Sequence, residues 1–101
     1  MAYKRKKVEI IVETPRLALV VEWLPRLGVS GYTTIRDVGG FGRHGPRQGS
    51  GLSGVFSNTA VLVITTEALA YRILEESTER LRHVAAIVYL SDVEVARGEH
   101  F

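Results

Sequence analysis

Hydrophobic and polar positions alternate in three distinct rhythms along this chain. Lys7 to Val12 (K-V-E-I-I-V) is β-branched and apolar enough for a buried strand. Thr14 reads as a helix N-cap with Pro15 at the first helical position, where its missing amide hydrogen costs nothing. Leu17, Val20, Val21, Leu24 and Leu27 then recur at spacings of three and four, giving a helix with one apolar face. Gly28 is placed to end that helix in a left-handed turn, and Pro25 should kink or tighten its last turn. Trp23 reads as a packing residue of the same helix. Gly31 to Val38 predicts a second strand, and Asn58 to Thr65 (N-T-A-V-L-V-I-T) predicts a third, apolar enough to be central. Thr65 or Thr66 caps a second helix over about 67–82, with Leu69, Ile73, Leu74 and Leu81 on its buried side. Ala85 to Ala96 predicts the fourth strand.

Strand, helix, strand, strand, helix, strand is the order of an α+β ferredoxin-like sandwich, with four antiparallel strands and both helices on one face. The opposite face of the sheet then has no helix to cover it. An RNA-binding face needs stacking aromatics on its central strands. The third strand offers Ala60, Val61, Leu62, Val63 and Ile64 instead, a surface suited to dry contact with more protein. Oligomers in which sheets pack together follow as the expectation. Residues 1–101 are expected to form a single domain, since 101 residues leave little room for a second.

Composition narrows the chemistry. The absence of cysteine excludes a disulfide scaffold, a thiolate metal site and a cysteine nucleophile. His44, His83 and His100 share no ligand spacing, so no metal is expected. No nucleophile constellation or acid–base pair stands out, which points away from an enzyme and leaves no catalytic residue to name. No apolar run approaches the length of a membrane span, and the chain reads as soluble and cytoplasmic. A formal net charge of +2 is well short of a surface organised around nucleic acid. The run Lys4 to Lys7 reads as an edge-strand guard or a solubility device. The rival reading is a ferredoxin-like nucleic-acid-binding module that uses this run and the loop arginines.

Seven of the ten glycines lie between Gly39 and Gly54, which predicts a long loop between the second and third predicted strands. Its first part, Val38-Gly39-Gly40-Phe41-Gly42-Arg43, stands at the end of a strand. Glycines permit positive φ, so that successive amide N–H groups can converge on a phosphate, with Arg43 and Arg47 adding positive charge. The plain alternative is a flexible hairpin tip. No Gly-Lys-Ser/Thr follows, which excludes a Walker loop, and the glycines open no helix, which excludes a dinucleotide fingerprint.

At these residues the chain resembles the PII signal-transduction proteins and their PII-like relatives. Gly28-Val29-Ser30-Gly31-Tyr32-Thr33, followed by Gly40-Phe41-Gly42-Arg43, looks like the family's segment from the first helix to the base of its T-loop. The resemblance implies a homotrimer whose interfacial clefts bind adenine nucleotides (AMP, ADP or ATP), and a T-loop, here about 43–57, that engages or releases a target protein. It implies that Ile11, Thr33, Ile64 and the stretch Val38, Gly39 and Gly40 wall the adenine and ribose. Gly40, Gly42 and Arg43 would face phosphate, with Phe41 among the nucleotide-binding residues, and Arg97 would reach a neighbour's cleft. Apart from the resemblance, adjacency to Arg43 makes His44 a candidate anion contact, and the charge of Arg47 makes it another.

The chain departs from the nitrogen-regulatory pattern in three places. Arg80-Leu81-Arg82-His83-Val84-Ala85 stands where the second glycine-rich loop, T-G-x-x-G-D-G-K, is expected. No tyrosine lies between Gly39 and Gly54, and one extra residue falls between Thr33 and Gly40. These differences weigh against 2-oxoglutarate sensing and strong ATP–magnesium binding. They point to the PII-like branch of carboxysome-associated proteins and bicarbonate-transporter regulators, with bicarbonate as a second ligand of some members.

Overall fold

A computed structural model describes residues 2–42, 45–47 and 57–101. The elements run β1 (Tyr3–Glu13), a 3-10 turn (Thr14–Arg16), α1 (Leu17–Arg26), β2 (Thr33–Val38), β3 (Gly40–Gly42), β4 (Gly45–Arg47), β5 (Asn58–Thr65), α2 (Glu67–Arg80), β6 (Ala86–Val95) and a 3-10 turn (Gly98–His100). The main sheet is antiparallel with strand order β2-β5-β1-β6. Each helix connects two parallel strands across an intervening antiparallel one, which is the split βαβ of the ferredoxin-like sandwich.

Period-two burial along β1 puts the core on one face. Val8, Ile10 and Val12 are fully buried beneath the helices, and Val61 and Val63 of β5 join them. From above, α1 contributes Val20, Trp23 and Leu24, while α2 contributes Ala70 and Ile73. Burying a side chain of that size stabilises by about 1.5 to 3 kcal/mol, so this layer dominates the cohesion of the sandwich. Trp23, only 2% exposed, also ties the helices together, because its indole N–H donates to Glu76 at 3.2 Å and Arg72 holds the other carboxylate oxygen at 3.0 Å.

The local stop and start signals act largely as the sequence predicts. Gly28 has φ +94°, and the preceding turn is tightened beyond Pro25 by Leu27 and Gly28 amides donating three residues back, to Leu24 and Pro25. Of the two candidate caps, Thr66 is the one used: its hydroxyl accepts from the Leu69 amide at 3.4 Å.

Four expectations are corrected. Thr14 does not cap α1 but opens a 3-10 turn, and its hydroxyl lies 3.1 Å from Ser57 Oγ and 3.0 Å from Thr59 Oγ1. The α2 helix stops at Arg80, with Leu81 tucked under it as a buried cap. The first strand begins at Tyr3, so Lys4 to Lys7 lie within it. This is no edge: β1 is central, and Lys6 faces Thr65 on one side and Asp92 on the other. Lys6 and Asp92 form an ion pair, with the Lys6 ammonium 5.9 Å from the centre of the Tyr71 ring. The edge-guard reading therefore loses its basis, since the run lies in a central strand where Lys6 pairs with Asp92 and Lys4 opposes Glu94, while Lys7 meets Glu9 of its own strand. Finally, the glycine-rich stretch is not all loop, because Gly40–Gly42 pairs antiparallel with Gly45–Arg47.

Candidate functional site

Directly opposed residues of antiparallel strands point to the same face, so the register lays out the face that the helices leave open. Ile35, Ala60, Ile11 and Ile87 form one row across all four strands. Thr33, Leu62, Glu9 and Tyr89 form the next. Ile87 is 60% exposed and Ile35 49%, large apolar surface on the two edge strands of the sheet. The expected uncovered face exists, but of the third predicted strand only Ala60, Leu62 and Ile64 lie on it: strand alternation turns Val61 and Val63 into the core under the helices.

One polar cluster interrupts this face, and the sequence reading does not single it out. The Tyr89 hydroxyl donates to the Glu9 carboxylate, which raises the phenol above its ordinary range, with burial adding to the shift. Lys7 Nζ stands 3.9 Å from Glu9. A lone glutamate in the otherwise apolar run V-E-I-I-V is the available signal.

Along the sheet the predicted ligand residues separate into two groups. Val38 is level with Asn58 and Glu13 at one end, and Gly39 with the short β3–β4 hairpin continues from there. Ile11 lies two residues from that end on β1. At the other end, Ile64 is level with Lys7, and Arg97 lies two residues beyond the terminal pair of Tyr3 with Val95. Thr33, opposite Leu62, is nearer to Ile64 than Val38 is. Ten residues of β1 separate the level of Glu13 from that of Tyr3, about 30 Å at the rise of an extended strand. Val38 to Gly42 and Arg97 are therefore not brought together within one chain.

The approach to the glycines is shaped by a bulge. Ile35 faces Ala60 and Val38 faces Asn58, so Arg36 and Asp37 together oppose Thr59. Asp37 takes φ +59°, a left-handed conformation that aspartate tolerates better than most residues. The bulge accommodates one additional residue, matching the extra residue between Thr33 and Gly40, and it keeps Ile35 and Val38 on the same face. Gly40 lies within a strand pairing and outside the left-handed region, so the expected bend of glycine amides around an anion is absent at that position. Among the described residues an added β-carbon at Gly40 meets nothing within 4 Å, and Phe41 is 84% exposed. Arg43 and His44 lie outside the described residues, as does most of the 43–57 stretch, and Arg47 is placed only as the last residue of β4.

On the helix side of the sheet, Lys4, Lys6, Glu67, Asp92 and Glu94 line a groove of about 620 Å³ at the start of α2. Lys4 opposes Glu94 and Lys6 opposes Asp92, so its charges are largely matched across the ladder. Among the described residues no cluster of three or more potential metal ligands occurs, and no helix is long and apolar enough to cross a membrane.

Comparison with known structures follows this geometry. CPII, a nitrogen regulatory PII-like protein from Thiomonas intermedia K12 bound to ADP, AMP and bicarbonate, superposes with a TM-score of 0.89 at 27% identity over 100% of this chain and 96% of that one. The same protein bound to ADP and bicarbonate gives 0.88 at 28% identity, over 100% and 97%. A PII-like signalling protein from Thermus thermophilus gives 0.83 at 31% identity, over 99% and 97%. No curated protein sequence matches the chain significantly. The model of the nitrogen regulatory protein P-II family matches residues 5–100, nearly the whole chain, and the protein belongs to that family.

Proposed function

We propose that residues 1–101 act as one unit in a homotrimeric, non-enzymatic regulator that binds an adenine nucleotide between copies and uses residues 43–57 to control a partner protein. The observation that carries this reading is the separation of Val38, level with Glu13, from Arg97, beyond the level of Tyr3: about 30 Å of β1 lies between them, so the hairpin and Arg97 of one chain cannot face the same ligand. A head-to-tail contact between copies sets the Val38–Gly42 end of one against the Arg97 end of the next. Such a heterologous contact, repeated, closes into a ring. The same contact covers Ile35 and Ile87, which removes apolar surface from water.

In this reading Ile11, Thr33, Ile64 and the stretch Val38 to Gly40 receive adenine and ribose. The hairpin glycines and Phe41 lie beside the phosphates. Arg43 and the neighbour's Arg97 supply charge, with His44 and Arg47 as outer anion contacts. A charge-assisted hydrogen bond contributes about 1.5 to 3 kcal/mol, so a handful of them, less the cost of ordering the loop, suffices for micromolar affinity. Switching requires only that the nucleotides differ in affinity for the two states of the 43–57 segment. The ADP-, AMP- and bicarbonate-bound CPII structures support both the nucleotide and a link to inorganic carbon. A transporter or carboxysome-related protein is the class of target that the resemblance to the PII-like branch implies.

Calorimetric titration with AMP, ADP and ATP, each with and without bicarbonate, tests the proposal. Micromolar binding of at least one nucleotide, close to one site per chain, is the expected result. A protein indifferent to all three nucleotides contradicts it.

A further inference from the structure

The C-terminal 3-10 turn begins immediately after Arg97 and is held by two distant parts of the chain. From β1, the Arg5 guanidinium donates to the Gly98 carbonyl at 2.9 Å across 93 residues of sequence. From the connection between α1 and β2, the Ser30 hydroxyl donates to the His100 carbonyl at 2.9 Å across 70 residues. The Phe101 amide closes the turn onto Gly98 at 3.3 Å. Gly98 itself lies on the Tyr3 ring: an added β-carbon there stands 3.0 Å from two ring carbons and 3.2 Å from Arg5 Nη2. A side chain at this position therefore has to push the Tyr3 ring and the Arg5 guanidinium aside by a few tenths of an ångström.

A short 3-10 turn on the surface has few bonds of its own and keeps one conformation only where other parts of the chain hold it. Here three side chains converge on a short turn that contributes nothing to the buried core. We infer that Tyr3, Arg5 and Ser30 form a clamp on Gly98–His100 whose role is to position Arg97. The inference rests on the proposed phosphate contact of Arg97 and adds the residues that hold it ready. A guanidinium whose backbone is already fixed loses less freedom on meeting its ligand, so the clamp strengthens binding without touching the nucleotide. Its effect falls on phosphate alone, because adenine and ribose are received elsewhere.

Two measurements on wild type, Ser30→Ala and Gly98→Ala test this. Ser30 is exposed, so its alanine variant leaves the core intact. Trypsin cuts after Arg97, and mass spectrometry follows release of Gly98–Phe101. Both variants should release it at least about threefold faster than wild type, because cleavage tracks the opened population. In titrations with ADP and with adenosine, both variants should lose affinity for ADP by about tenfold while adenosine affinity stays at the wild-type value. Unchanged release rates mean that no clamp exists. Faster release with an unchanged ADP-to-adenosine ratio means that the clamp does not position Arg97. If wild type takes up neither ligand, the nucleotide reading fails, and the phosphate role of the clamp fails with it; the trypsin rates then decide only whether the turn is tied down.

Discussion

Glu76 shows how one carboxylate can serve the fold instead of a ligand. Its two oxygens meet Arg72 and Trp23, and those bonds hold it below its ordinary value of 4.5, Arg72 contributing most. A carboxylate lowered in the folded state adds stability at pH above 4.5, and that stability is lost as pH falls through the lower folded value. Glu76→Gln should therefore flatten the acid limb of the urea-unfolding midpoint against pH, while leaving the fold at neutral pH. An acid limb as steep as that of wild type would show that Glu76 plays no part in it. The Tyr89 phenol works in the opposite direction. Bonded to Glu9 and raised in the folded state, it contributes stability below its ordinary value of 10.0, and that contribution fades as pH rises toward the folded value.

At the scale of elements, the bulge in β2 has the clearest mechanical role. Asp37 accepts a left-handed backbone that a β-branched residue resists at a cost of about 1 to 2 kcal/mol. Asp37→Val should lower stability by that amount, and Asp37→Gly should not, as measured by chemical denaturation. Equal losses in both variants would mean that the side chain, and not the backbone, matters there. The extra residue before Gly40 is visible in the sequence as an irregularity of spacing, but its accommodation as a bulge depends on the pairing with β5. Local signals read well: Gly28 ends α1 and Thr66 caps α2 because each acts on its own helix terminus. Thr14 misleads because its hydroxyl finds Ser57 and Thr59, more than forty residues away. The early start of β1 is hidden because its outer residues are charged, and only the register with Asp92 and Glu94 shows that they are ladder partners. The glycine-rich stretch reads as loop since glycine is depleted in strands, yet part of it pairs as a hairpin.

For the whole molecule, the exposed face determines what the protein can be. The order of strands and helices foretells a face without helices, and Ile35, Ile11 and Ile87 make part of that face aliphatic. The distance between the two groups of ligand residues is not legible, because spacing along a sequence does not reveal which end of a sheet a residue occupies. Ile87 is mostly exposed in the single chain, so Ile87→Asp should leave the fold intact and abolish the assembly, with light scattering reporting a monomer. A trimer of unchanged mass in this variant would locate the interface elsewhere.

A subunit-mixing experiment addresses the shared site most directly. Gly40→Glu places a carboxylate beside the proposed phosphate position, and Arg97→Ala removes the cation expected from the neighbour. Each variant alone should bind ADP poorly. Unfolded together and reassembled in equal amounts, they should regain binding at about a quarter of the sites, since a random ring pairs an intact half with an intact half that often. Mixed assemblies that remain as weak as either parent would show that the two groups do not meet across an interface.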